Sequence, residues 1–318
     1  MKHRNDLPQT LVDAIRYFSD PDVCFAFMVE LRWPEGVTCP TCGSEDVRFL
    51  EKRRVFECKG RHPRKQFSVK VGTLFEDSHV SLDKWLAAIW LIANAKNGVS
   101  SYELGRSLGV TQKSAWFMLH RIRLAMQTGT FGKLSGEVEV DETYIGGKAR
   151  NMHPGARKAK GRGTVGKAVV MGLLERHGEV RTEVVPNIVR RTLHEKVREH
   201  VQPGSTIYTD ELRSYGGLEA EYAHQVINHA EAYVRGNVHT NCMENFWSLL
   251  KRGIKGTYVS VEPFHLFRYL DEEAFRFNTR KDNDAGRFLR VAKMVEGKRL
   301  EYRNLIGEPT AAQTWPKA

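Results

Sequence analysis

The sequence has no uncharged apolar stretch of about 18 residues, the length that spans a bilayer, so no membrane span is expected. Residues 1 to 20 mix charges among apolar side chains and show no hydrophobic run ahead of a small-residue cleavage site, which argues against a secretory signal. The expected location is the cytoplasm. Cysteine is scarce, with five among 318 residues. In a reducing compartment these are poor disulfide material, so clustered ones point to a metal and isolated ones, Cys24 and Cys242, to packing. Acid is short relative to base: 38 Asp and Glu stand against 49 Lys and Arg, a net charge of +11. That excess favours a polyanionic partner, nucleic acid first, without defining a site. Neither an internal repeat of solenoid period nor a long low-complexity tract is present.

What is there is an ordinary globular composition, 41% hydrophobic and 27% charged, enough for a sizeable core and two or three domains. Residues 1–36 read as a helical segment, 37–75 hold the clustered cysteines, 80–128 read as helices, 135–280 alternate strands and helices, and 281–318 form a basic tail. The stretch 146–167 contains Lys148, Arg150, Arg157, Lys158, Lys160, Arg162 and Lys167 and no acid. It reads as a basic loop, either simply solvated or an arm for phosphates through counterion release.

Cys39, Pro40, Thr41, Cys42 and Gly43 form a knuckle whose two thiolates can bind one tetrahedral Zn2+ from the same side. Cys58, after a strand-like segment, and His62 can complete a Cys3His site. Arg61 stands where the second cysteine of a pair would fall, and the alternative for His62 is a phosphate contact.

Ser81 to Ile92 has a capping serine and apolar residues at helical spacing. From Val99 the pattern is helix, tight turn at Gly109, then a second helix capped by Thr111, a helix-turn-helix pattern that an αα corner would share. Gln112, Lys113 and Ser114 stand at the start of the second helix, with Arg121 and Arg123 further on, all suited to phosphates or base edges.

Residues 136–142 alternate polar and apolar, the period of a half-buried strand, and place Asp141 at its end. Further strands are expected over 169–174, 179–185, 205–210 and 223–228, with a helix over 193–201 and Asp210 at a strand end. On a helix opening near Thr240, Met243, Phe246, Trp247, Leu250 and Ile254 make an apolar face. Asn241, Glu244, Ser248 and Lys251 share another stripe. Three converging carboxylates, Asp141, Asp210 and Glu244, repel one another unless cations neutralise them, and hard oxygen ligands suit Mg2+ or Mn2+. Two such ions can clamp the attacking and leaving oxygens of a phosphoryl displacement. Alone, any one of these acids would read as a solvated cap or a surface ion pair.

The chain resembles the insertion-sequence DDE transposases with an N-terminal zinc ribbon, the ISXO2-like branch. The resemblance rests on Arg32-Trp33-Pro34 before Cys39 and Cys42, on Lys65, Gln66 and Phe67 with Gly72 and Thr73, and on Asp141 through Lys148. It continues through Tyr208 to Asp210, His239 to Asn241, Glu244 to Arg252, and Arg276, Asn278 and Arg280. It implies an α/β architecture: an RNase H-like catalytic domain, a mixed five-stranded sheet with flanking helices, preceded by the zinc ribbon and the helix-turn-helix-like region. It also implies Asp141 and Asp210 on strands and Glu244 on a helix as ligands of two Mg2+ or Mn2+ ions, one structural zinc, and Lys251 with Arg252 on the DNA end. In this branch the third acid varies, with Asn241 or Asn245 as alternatives to Glu244, while Glu139 and Glu142 compete with Asp141. The implied activity is binding of the terminal inverted repeats in double-stranded DNA, hydrolysis, and joining to target DNA, by a homodimer or higher oligomer. An RNase H-like nuclease that never joins, or a domesticated regulator, would share part of the pattern.

Overall fold

The computed structural model describes residues 7–127, 132–147, 166–227 and 239–306. The chain divides into two compact units, Met1–Met126 with Lys281–Ala318, and Gln127–Arg280. In the first, helices α1 (Leu11–Tyr17) and α2 (Pro21–Arg32) open on Thr10 and Asp20, whose side chains accept the N–H groups of Asp13 and Asp22. Strands β1 (Val47–Leu50), β2 (Val55–Cys58) and β3 (Gln66–Phe67) form a small antiparallel sheet in that order. Phe25 of α2 stacks on Phe49 and Phe56, and Trp33 meets Phe56 and Phe67 edge-on, a small aromatic core for the ribbon. Helix α3 (Leu82–Asn94) is buried along most of its length. Helix α4 (Ser101–Leu108) ends at Gly109, whose φ of 60° is the left-handed conformation a tight turn needs. Helix α5 (Gln112–Met126) follows, with Ser114 N donating to the Thr111 hydroxyl at 3.1 Å.

The second unit is built on β4 (Glu137–Ile145), β5 (Ala168–Glu175), β6 (Val180–Val185), β7 (Thr206–Asp210) and β8 (Ala223–Ile227), with α6 (Arg190–His200), α7 (Asn241–Gly253) and α8 (Leu266–Asn278). The sheet order is β6-β5-β4-β7-β8. Strands β4, β5 and β6 pair antiparallel, and β7 and β8 run parallel to β4. This is the RNase H-like arrangement. Alternation along β4 divides its side chains between two cores. Val138 and Val140 pack with Leu193 and Val197 of α6. On the opposite face Ile145 joins Val170 and Leu174 against Met243, Phe246, Trp247 and Leu250 of α7 and Leu270 of α8.

Two features depart from the sequence reading. Asp141 is the fifth of nine residues of β4 rather than its last, because pairing with β5 carries the strand on to Ile145. The ladder to β7 stops at Glu139, however, so Asp141 still lies just past the end of that pairing. The stretch from Lys281 is also more than a tail: α9 (Asp284–Lys293) packs in the first unit, where Asn94 of α3 donates to the Asp284 carbonyl and accepts from Arg287. The short α10 (Tyr302–Leu305) follows it.

Candidate active site

Two strands and one helix of the second unit carry the expected acids, whose charges reach Asp141. The β4–β7 ladder ends at Glu139↔Tyr208, and Asp141 and Asp210 each lie two residues further along their strands. Trp247 Nε1 of α7 donates to Asp141 Oδ2 at 2.9 Å, and the Glu142 N–H donates to Oδ1 at 2.8 Å. Burial pushes the Asp141 carboxyl above the usual carboxylate range. Its two hydrogen bonds oppose that shift, and the charges of Asp210 and Glu244 add to it. Asp141 therefore feels both of the other expected acids. Glu244 is exposed on α7, in a stripe with Asn241 and Ser248, and Lys251 lies half-buried two turns on. Asp210 Oδ1 accepts the Leu212 N–H at 3.1 Å, which turns the chain at the strand end.

The competing acids are engaged elsewhere. Glu142 lies on the α6 face, accepts a hydrogen bond from the buried Tyr215 hydroxyl, and has its carboxyl pushed up to about 8, mainly by burial. Glu139 shares the face of Asp141 but is fully buried, accepting from Arg176 Nε and from the Met243 N–H, each at 2.9 Å.

Sequence reasoning missed a part of this face. Helical spacing puts Trp247 in the apolar stripe of α7, yet its indole also donates to the Asp141 carboxylate. It reaches Asp141 because Gly172, the β5 partner of Asp141, leaves the space: a Cβ there would lie 2.6 Å from the Trp247 ring and 2.3 Å from Met243 Cε. A glycine inside an otherwise apolar strand is the signal for such a close approach.

In the first unit, the Sγ atoms of Cys39, Cys42 and Cys58 and a ring nitrogen of His62 all lie within 4.8 Å of one another. Cys39 Sγ is 3.5 Å from His62 Nε2, and Cys42 Sγ is 3.6 Å from Cys58 Sγ. Tetrahedral zinc separates its sulfur and nitrogen ligands by roughly 3.5–3.8 Å, so this Cys3His group fits a structural zinc. Gly60 lets the loop close over the sulfurs, since its N–H donates to Cys58 Sγ at 3.3 Å and a Cβ would lie 3.2 Å from that atom.

The expected DNA contacts fare unequally. Gln112 and Lys113 stand exposed on the first turn of α5, and Arg252 is exposed on α7. Arg121 is a correction: only 5% exposed, it donates to the carbonyls of Leu74, Glu76 and Leu300, so its guanidinium ties the first unit together and is buried away from a phosphate. Arg123 is buried too, because α5 is covered all round beyond its first turns. Lys148, Arg157, Lys158 and Lys160 lie outside the described residues. Among the described residues, no helix is long and apolar enough to cross a membrane.

An RNase H-like sheet with an acidic face under one helix, in a chain that also carries a Cys3His ribbon, is the architecture of a DDE-type transposase. Residues 133–278 match the ISXO2-like transposase domain, and residues 19–60 match the transposase zinc-ribbon domain. An uncharacterized protein in transposable element ISH50 of Halobacterium salinarum is 30% identical over 243 residues, 71% of this chain and 80% of that one. An uncharacterized transposase-like protein of Haemophilus influenzae is 38% identical over 101 residues, 31% of this chain and 81% of the relative. The chain belongs to the ISXO2-like insertion-sequence transposases.

Proposed function

We propose that this transposase binds the terminal inverted repeats of its own element in double-stranded DNA, hydrolyses a phosphodiester there, and joins the freed 3′ hydroxyl to target DNA. The observation that carries the reading is the buried Asp141 carboxyl, held by Trp247 and charged against by Asp210 and Glu244. A buried carboxyl raised by burial and further by neighbouring acid charges fits a hard divalent cation, and Asp141, Asp210 and Glu244 are the residues that would hold Mg2+ or Mn2+. Two such ions, when bound, clamp the attacking and leaving oxygens of an in-line displacement.

The chain's own groups supply the rest. Trp247 and the Glu142 N–H each hold one oxygen of the Asp141 carboxylate and would fix its orientation for a bound ion. Lys251 and Arg252, in the last turn of the helix that carries Glu244, would grip backbone phosphate, as point charge and planar fork respectively. Gln112 and Lys113, with Lys148, Arg157, Lys158 and Lys160, would hold the flanking duplex. Positioning and electrostatics suffice, with no covalent protein intermediate. Two element ends must be held for joining, which calls for a homodimer or larger assembly on DNA.

The test incubates the protein with Mg2+, labelled element ends and a target duplex. Cleaved and joined products are expected from the native chain and neither from Asp141→Asn. Cleavage without joining would reduce the activity to that of a nuclease, and binding without either product would leave a DNA-binding regulator.

A further inference from the structure

Glu139 is fully buried two residues before Asp141 on the same face of β4, and its two carboxylate oxygens serve different elements. Oε2 accepts the N–H of Met243, the third residue of α7, at 2.9 Å. Oε1 accepts from Arg176 Nε, also at 2.9 Å. Arg176 in turn donates to the His239 carbonyl at 2.7 Å, just ahead of α7. Its guanidinium lies 4.0 Å over the Tyr208 ring, whose hydroxyl donates to Glu137 at 2.5 Å. The start of α7 is thus tied to β4 and β7 through one buried ion pair.

A helix leaves its first N–H groups without internal partners, and the usual remedy is the cap side chain. Thr240 makes no such hydrogen bond. Glu139 takes over that role from the neighbouring strand, and a negative charge at a helix N-terminus is favourable in itself. Burying a carboxylate and a guanidinium is otherwise a costly way to fill a core, since well-packed apolar residues of similar volume serve as well or better. What the pair supplies is a fixed geometry. Glu244 directly follows Met243, so one strand provides both a metal-site acid, Asp141, and the anchor that locates the helix bearing the other.

We propose that Glu139, held by Arg176, is a positioning residue that sets α7 against β4 and thereby the spacing of Glu244 from Asp141. The inference rests on the metal-site reading above. Removing a supporting partner of a metal ligand typically lowers metal affinity or activity about 10–100-fold.

The experiment uses the full chain loaded with zinc. Binding of Mn2+ alone is measured by calorimetry for the native protein, Glu139→Gln, and the double variant Glu139→Gln/Arg176→Met. Folding is followed by circular dichroism, and affinity for element-end DNA is measured alongside. Glu139→Gln is expected to stay folded and to bind DNA normally, with Mn2+ affinity lowered about 10–100-fold. The double variant strands no buried charge and so keeps the test valid should the single variant fail to fold. It is expected to recover stability while its Mn2+ affinity stays low. Native Mn2+ affinity in folded Glu139→Gln, or its recovery together with stability in the double variant, would make the pair a structural tie only and overturn the proposal. Asp141→Asn separates the two levels. If it loses Mn2+ while Glu139→Gln binds normally, the positioning role alone falls. If Asp141→Asn binds Mn2+ as the native chain does, the metal-site reading falls and takes this inference with it.

Discussion

Replacing Gly172 by alanine should damage chemistry without touching any expected metal ligand. The added Cβ would sit 2.6 and 2.7 Å from Trp247 ring carbons and 2.3 Å from Met243 Cε, where carbon atoms prefer about 3.5–4.0 Å. The Met243 terminus can swing aside. The indole cannot, because it is hydrogen-bonded to Asp141 and packed on Phe246. Helix α7 must then recede by roughly 1 Å for ordinary contact to be restored. Overpacking of this kind costs about 1–3 kcal/mol of stability, and a misplacement of that size can cost about 100-fold in rate. Denaturant unfolding reads the first quantity, and the rate of cleavage of labelled element ends under excess Mg2+ reads the second. Adding Trp247→Phe to Gly172→Ala removes part of the clash and also the donor to Asp141, so stability should return in part while the rate stays low. If Gly172→Ala unfolds within about 0.5 kcal/mol of the native chain and cleaves at the native rate, α7 does not locate the site as argued.

Chelating zinc, or replacing His62 by alanine, should unfold the ribbon and leave the RNase H-like unit folded, because the metal supplies much of so small a domain's stability; elemental analysis finding full zinc in His62→Ala would remove His62 from the ligand set. Glu142 keeps its proton in the folded protein up to about pH 8, whereas an unfolded chain loses it near the ordinary 4.5. The metal-free protein, which binds the extra proton only when folded, should therefore lose stability as pH rises between those values, by at most about 1.4 kcal/mol per pH unit. Glu142→Gln should flatten that loss in pH-dependent melting, and an unchanged profile would show that Glu142 is not the group involved. Replacing Arg157, Lys158 and Lys160 together by alanine should weaken DNA binding across all sequences and flatten its salt dependence, whereas an unchanged slope would show that these cations do not contact phosphate.

How far the sequence could be read depended on whether the determinants were local. The two-residue period of β4 placed Asp141 correctly on a strand, and the 3.6-residue period of α7 separated Glu244 from Met243, because each pattern is carried within one element. The end of β4 lies further on than the sequence suggests, since pairing with β5, a segment distant in sequence, decides how far that strand continues. Arg121 looked like a nucleic-acid contact for the same reason: its partner Leu300 lies 179 residues away, and no local signal announces that a distant segment covers α5. Two residues of the last family motif proved architectural. Arg276 is held in its charged form between Glu272 and Glu273, and the Asn278 amide pairs with both backbone groups of Val180, extending the edge of β6. Only the folded arrangement separates such residues from catalytic ones.

The most direct measurement compares Glu244→Gln with Glu142→Gln in cleavage and joining of labelled element ends with Mg2+. An amide is a much poorer ligand for a hard cation than a carboxylate. Glu244→Gln should therefore lose both steps together by several orders of magnitude, with binding to the ends preserved. Glu142→Gln, altered on the opposite face of β4 beside Tyr215, should retain both. Activity in Glu244→Gln together with its loss in Glu142→Gln would contradict the account and move the metal site to the other face of the sheet.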